Sequence, residues 1–332
     1  MAIVSGEILW KKCDEDSDAT SNGGRITAVV SPSATANNDF PDIPQSELTS
    51  GITRYRKRFI KIANDADLVA QTTKVYMRLH SPADDSIMFF PGTQRDTQND
   101  ITGSERTYGA GQLGADVSAG AGSITVNTEG VAFDHFQDGD TIIISNKGSV
   151  FDAGDREEHV INGVPSYSGD QATITLAGTL ANAFLASNTV VSSVYAAGNI
   201  QASADNYSVT SVSGTYDNAT YPVIIDHIGT MEQTWTVTFT DATNFGIVGD
   251  TIGSVGSGTT GADFTPTNTD EGSKPYFTLP SAGWGGTWAV GETLVFQTHP
   301  CAVPVWYKEV VPAACAAFTN NIPYCAVMLQ SA

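Results

Sequence analysis

The side chains able to do chemistry are few and scattered along this chain. Asp14, Asp16 and Asp18 imitate the opening of a calcium loop, where alternate carboxylates converge on one cation. Ala19 stands at the sixth position, where the sharp turn needs Gly, and Arg25 at the twelfth, where a bidentate Glu belongs. Asp152, Asp155, Glu157, Glu158 and His159 supply carboxylate pairs and an imidazole, the groups used in acid–base and glycoside-cleaving sites. A short acidic run of this kind reads first as a solvated hairpin. His80, His135, His227 and His299 show neither HxH nor HExxH spacing, and Cys13, Cys301, Cys315 and Cys325 form no CxxC pair. The thiols read as buried and reduced, and no metal or cofactor is expected.

The motifs that activate a nucleophile or cradle a phosphate are missing. No Ser is flanked by Gly at both two residues before and two after, as a nucleophile elbow requires. The Gly-rich stretch 253–261 contains no Lys, so it cannot act as a phosphate loop and reads as a long surface loop. Trp284-Gly285-Gly286-Thr287-Trp288 could present two indoles to a sugar or base, but packing of both rings on the neighbouring strands is the simpler expectation.

Composition explains the sparseness. Only 16% of residues are charged, Gly, Ser, Thr, Ala and Val dominate, and no window repeats apolar residues at helical spacing, so strands and tight turns are expected throughout. The 332 residues exceed what one core usually serves, which implies several β units. Residues 1–106 carry a net charge of −3 and residues 107–332 carry −17. A surface so poor in Lys and Arg is unsuited to gripping phosphates, which argues against sequence-specific nucleic-acid binding. No basic-then-apolar leader opens the sequence and no run of eighteen apolar residues occurs, so neither export by a signal peptide nor membrane insertion is expected.

Five short apolar runs lie in the first hundred residues, at 7–12, 26–30, 55–62, 72–79 and 86–90, and two more lie at 303–311 and 324–329. The loop between the last two runs contains Thr319-Asn320-Asn321. A lone strand pair is marginal in water, so the terminal runs are expected to complete one sandwich with the first five. The architecture is then all-β. Residues 1–106 and 300–332 form a sandwich from both chain ends, interrupted by inserted β-barrel or sandwich units at 107–200 and 201–299. Strands in the insertions are expected at 123–127, 141–145, 158–161, 172–176, 189–194, 207–212, 221–226, 234–239, 276–279 and 293–298. A shared pattern, Gly139-Asp140-Thr141-Ile142 and Gly291-Glu292-Thr293-Leu294, recurs in the two insertions.

The run Tyr55 to Ile62 breaks simple alternation with four cations nearby. Arg56, Arg58 and Lys61 are expected to face mostly outward from an edge or interface strand, and Arg54, Arg56, Arg58 and Lys61 to form a subunit interface with an acidic neighbour.

Ser21-Asn22-Gly23-Gly24-Arg25, Asn37-Asn38-Asp39-Phe40-Pro41-Asp42, Gly51-Ile52-Thr53-Arg54-Tyr55-Arg56-Lys57 and Ile60-Lys61-Ile62-Ala63-Asn64 resemble the opening of a group of tailed-phage and prophage virion proteins. The passage Pro304 to Ala314 is similar to their closing segment, with Glu309 and Ala314 as departures. The resemblance covers both ends well and the middle loosely. It implies an immunoglobulin-like sandwich, residence in a virion assembled in the bacterial cytoplasm, and partnership with copies of itself and other virion proteins. It transfers no catalytic residue. The expectation is therefore a non-enzymatic structural protein, foremost a tail protein built as rings. Capsid decoration, and glycan recognition through Trp284 and Trp288, are the alternatives.

Overall fold

In the computed structural model the described residues are 2–32, 35, 38–128, 135–147, 153–318, 321 and 323–331. Asp152 of the acidic run, and Thr319 and Asn320 of the expected C-terminal turn, lie outside them. Strands account for 49% of the chain and helix for 6%, so the all-β class holds.

The chain begins with β1 (Ile8–Glu15), β2 (Gly23–Val30), a short helix α1 (Gln45–Ser50), β3 (Ile52–Ile62), β4 (Ala70–Leu79) and β5 (Ser86–Pro91). The next stretch holds β6 (Ala110–Leu113), β7 (Ser123–Asn127), β8 (Thr141–Ser145), β9 (Arg156–Val160), β10 (Ser166–Ser168), β11 (Gln171–Thr175) and the long β12 (Val190–Ile200). Residues 203–299 contribute β13 (Ser203–Thr210), β14 (Thr215–Tyr216), β15 (Gln233–Phe239), β16 (Asn244–Gly249), β17 (Gly253–Thr259), β18 (Thr267–Asn268), β19 (Lys274–Pro275), β20 (Trp284–Gly285) and β21 (Thr293–His299). The chain closes with β22 (Ala302–Val311) and β23 (Tyr324–Ser331).

Both chain ends meet in one sandwich. The first sheet has the order β2-β1-β3-β22-β5, with β22 antiparallel to both β3 and β5. The facing sheet is the β12-β4-β23 end of a nine-stranded sheet. Ile60, Ile62, Val303 and Val305 of the first sheet enclose a core with Val75 and Met77 of the second, and Val327 and Leu329 pack against it. β12 joins two units: Val190 to Ser193 pair with β8, whereas Val194 to Ile200 pair with β4. The second unit has its own core, from Leu113, Ile124, Phe136, Ile142, Ile174 and Phe184 among others. The third has another, from Trp235, Val237, Phe245, Ile247, Phe277 and Phe296 among others, behind the sheet β13-β21-β15-β16-β17.

The shared Gly-acid-Thr pattern builds the same turn twice. Gly139 and Gly291 have φ of 83° and 84°, a region that L side chains rarely adopt. Asp140 Oδ2 accepts from Gln137 N at 2.7 Å, and Glu292 Oε2 accepts from Ala289 N at 2.9 Å. The main-chain N–H of each acid also donates to the carbonyl of that same residue at 3.1 Å.

Three local expectations need correction. The Gly-rich stretch is not a loop, because residues 253–259 form β17, antiparallel to β16. Strand pairing uses main-chain groups, so Gly does not prevent it. Here it permits close approach: a Cβ on Gly258 would lie 2.8 Å from the Phe245 ring and 2.7 Å from that of Phe264. Residues 221–226 and 276–279 are not strands; they touch at the single bridge Ile224–Thr278. Pro222 has no N–H to donate, and Asp226 Oδ1 ends the segment by accepting from Ile228 N and Gly229 N.

Because the third core is separate from the sandwich core, it should fail separately. Ile247 is fully buried, and Ile247→Ala should cost the third unit about 2–5 kcal/mol. Scanning calorimetry should then show one lowered transition beside one unchanged. A single transition shifted as a whole would contradict independent cores.

Candidate functional site

The cations singled out in the sequence converge on β3, but this strand lies between β1 and β22 and is not an edge. Arg54, Arg56, Arg58 and Lys61 are 6%, 5%, 1% and 1% exposed, which corrects the expectation that Arg56, Arg58 and Lys61 face outward. The continuous register with β22 puts Arg54, Arg56 and Arg58 on the same face as Ile60 and Ile62, and Lys57 and Lys61 on the other.

A buried guanidinium needs a partner, and each of these finds one within the chain. Arg54 Nε lies 2.5 Å from Glu309 Oε2, the residue directly opposite it on β22. Arg56 meets Asp18 at 2.6 Å, and Arg58 meets Asp16 at 2.9 Å and Asp39 at 2.7 Å. Two of the carboxylates that imitate a calcium loop therefore neutralise the arginine row. Burial pushes the Asp16 carboxyl up, but hydrogen bonds from Arg58 and Lys12 outweigh it and hold the group below its usual range. Burial lowers the Arg58 guanidinium, and Asp39 with Asp16 more than restores it. For Glu309 burial dominates and pushes the carboxyl up to about 7. Phe40 covers the row, with the Arg54 and Arg56 guanidiniums 5.6 and 5.7 Å from its ring centre.

The opposite face of β3 meets the third unit. Glu271 accepts from Lys61 at 2.9 Å and from Lys11 at 3.1 Å, and Lys61 also donates to the Ile228 carbonyl. Arg25 forks onto both carboxylate oxygens of Asp250 at 2.7 and 2.5 Å. Arg95 reaches Glu232 at 2.6 Å, and the other Glu232 oxygen lies 2.8 Å from His299 Nδ1. This seam joins sandwich cations to third-unit carboxylates. Sequence reasoning missed Lys11, Arg25, Arg95, Glu232, Asp250 and Glu271, although the charge difference between the two parts of the chain was their signal.

Among the described residues of the acidic run the structure brings Glu157 and His159 together, with Glu157 Oε2 2.8 Å from His159 Nε2. β9 alternates, so Glu157 and His159 share a face while Glu158 points away to Lys74. Glu157 also holds a loop, accepting from Ala181 N at 2.9 Å and Asn182 N at 2.6 Å. Asp155 donates its N–H to Asn146. Trp288 is 3% exposed and stacks on Phe239 with ring centres 4.2 Å apart, and Trp284 packs edge-on against Tyr216 at 4.8 Å. Cys13 and Cys301 are buried, whereas Cys315 and Cys325 are only half-buried; all four thiols are free. Among the described residues no three His, Cys, Asp or Glu side chains gather where they could share a metal ion.

Two clefts stand out. One, of about 110 Å³, is lined by Asp18, Glu47, Arg54 and Tyr55 among others, and a second, of about 10 Å³, lies between His80, Asp85 and His135. The first is well below the 300–1,000 Å³ of a typical small-molecule site. The second has room for about one water. What these residues define is an ion-paired β scaffold. No family model, curated protein or solved structure matches the chain.

Two outcomes follow. Arg58→Glu would put three carboxylates into a site built for a guanidinium, and loss of one partner from such a pair costs about 3–5 kcal/mol. Gel filtration and circular dichroism should show no folded monomer, and a normal monomer would contradict the assignment. The hydrogen bond to Glu232, with a second to Asp205, raises the His299 imidazole from its ordinary 6.5 to about 9, against burial. The stabilisation is therefore complete below about 6.5 and is lost as pH rises through about 9. An NMR titration should find His299 protonated at pH 7.5; a midpoint near 6.5 would refute the contact.

Proposed function

We propose that this protein is a structural component of a tailed-bacteriophage virion, acting in the tail by self-assembly, with a sandwich of immunoglobulin-like type. The observation that carries the reading is where the phage-like residues lie. Gly23 to Arg25, Ile52 to Lys57, Ile60 to Ile62 and Pro304 to Val311 occupy β2, β3 and β22 of the first sheet. Asp39 and Phe40 cover the same sheet's arginine row. The resemblance is thus concentrated in one sheet and in the segment that covers it.

Two further features support a scaffold over an enzyme. The ionisable groups on β3 and β9 are taken up by neighbouring segments of the chain. The cleft beside Arg54, of about 110 Å³, is smaller than a typical small-molecule site. Many carboxylates of the acidic later part cap turns, as Asp241 does for Thr243 N and Asn244 N at 2.8 Å each and Asp217 for Thr220 N at 3.1 Å. They remain exposed and charged, so the surface stays repellent to DNA, as a tail lumen requires.

Mass spectrometry of purified particles, followed by imaging with labelled antibody, tests the reading. The chain should be present and the label should fall on the tail. Absence from particles would overturn the proposal, and label over the head at hundreds of copies would replace the tail with capsid decoration.

A further inference from the structure

The sandwich leaves one long strand edge open. β23 ends the nine-stranded sheet, and among the described residues only β4 pairs with it. An unpaired edge offers a row of N–H and C=O groups to any other chain, and proteins normally blunt it with charge, proline, bulges or a cover.

The other edges of this molecule are blunted in those ways. β5 is bridged by Tyr108 through Phe89. β9 carries Arg156, Glu157 and Glu158, and β10 is three residues long. β2 carries Arg25, committed to Asp250, and its pairing with β1 is twice irregular. β13 breaks register between Asp205 and Ser208, and β17 is glycine-rich and bulged against β16. β23 also shifts register twice against β4, between Tyr324 and Cys325 and between Met328 and Gln330, but it reads Tyr-Cys-Ala-Val-Met-Leu-Gln-Ser, with no charge, Pro or Gly in eight residues. Its interior positions are half-buried, with Val327 and Leu329 packed on the sandwich core and Met328 on the opposite face.

We propose that β23 is a self-association edge that pairs antiparallel with β23 of a second copy about a twofold axis. The occupant follows from charge and shape. A chain of net charge −20 repels its own copies over most of its surface, so a homotypic contact must use a segment that brings no like charges together. Antiparallel self-pairing of β23 does so, since every residue it aligns is uncharged. The pairing also keeps faces in step: Val327 and Leu329 of both copies remain on the core side, and the two nine-stranded sheets become continuous. An isologous contact closes on itself and leaves no further edge at that flank. The inference concerns two copies in solution and stands whether or not the virion reading holds.

Sedimentation of the full chain should show a concentration-dependent dimer. Hydrogen exchange should slow in 324–331 as concentration rises, while exchange in β17 stays constant. Met328→Lys puts like charges on the two facing strands and should weaken the dimer about tenfold or more, with an unchanged circular dichroism spectrum. A wild-type chain that stays monomeric, or a dimer whose β23 amides exchange equally fast at every concentration, would overturn the proposal. Should the variant misfold, the wild-type exchange profile alone decides the question.

Discussion

The structure depends on keeping a row of cations dry at the centre of a sheet. Three arginines on one face of β3 and two lysines on the other occupy positions where an apolar strand would ordinarily sit. A buried charge is tolerated only if geometry returns what desolvation removes, and each of these five has a carboxylate within 3 Å. The carboxylates come from the β1–β2 loop, the segment before α1, the loop after β5, the third unit and β22. One strand thus ties down most of the sandwich. Such pairs add little net stability over an apolar core, but removing one partner leaves an uncompensated buried charge.

The ion pairs also organise the molecule beyond the sandwich. The third unit has a separate aromatic core and sets Glu232, Asp250 and Glu271 each against a sandwich cation, while its Lys274 and His227 N–H meet Asp65 and Asp67. An apolar seam would tolerate sliding, whereas bidentate and shared contacts fix direction. The second unit is held differently, by the continuous strand β12. One insertion is therefore oriented by charge and the other by main-chain pairing. This arrangement suits a rigid building block.

How much of this could be read from the sequence depended on the range of the interactions. Local signals were legible: the strand runs at 7–12, 72–79, 123–127 and 234–239 were visible from β-branched residues between turns, and the Gly-acid-Thr turns from their spacing. The β3 cations misled because alternation rules equate charge with solvent. The partners that reverse this rule are distant in sequence, Glu309 lying 255 positions from Arg54 and Glu271 lying 210 from Lys61. β17 was illegible for another reason, since a strand with glycine at three of its seven positions shows no side-chain periodicity. Of the candidate site, the residue types were found, but their burial and their partners were not.

The most direct test of this account is a double-mutant cycle on Arg54 and Glu309, read by chemical denaturation. If the pair is buried and mutual, Arg54→Met and Glu309→Met should each be strongly destabilising. The double variant should cost far less than their sum, with a coupling above about 1 kcal/mol. Effects that add to within about 0.5 kcal/mol would mean that the two charges do not answer each other, and the cationic strand would have to face something outside the chain.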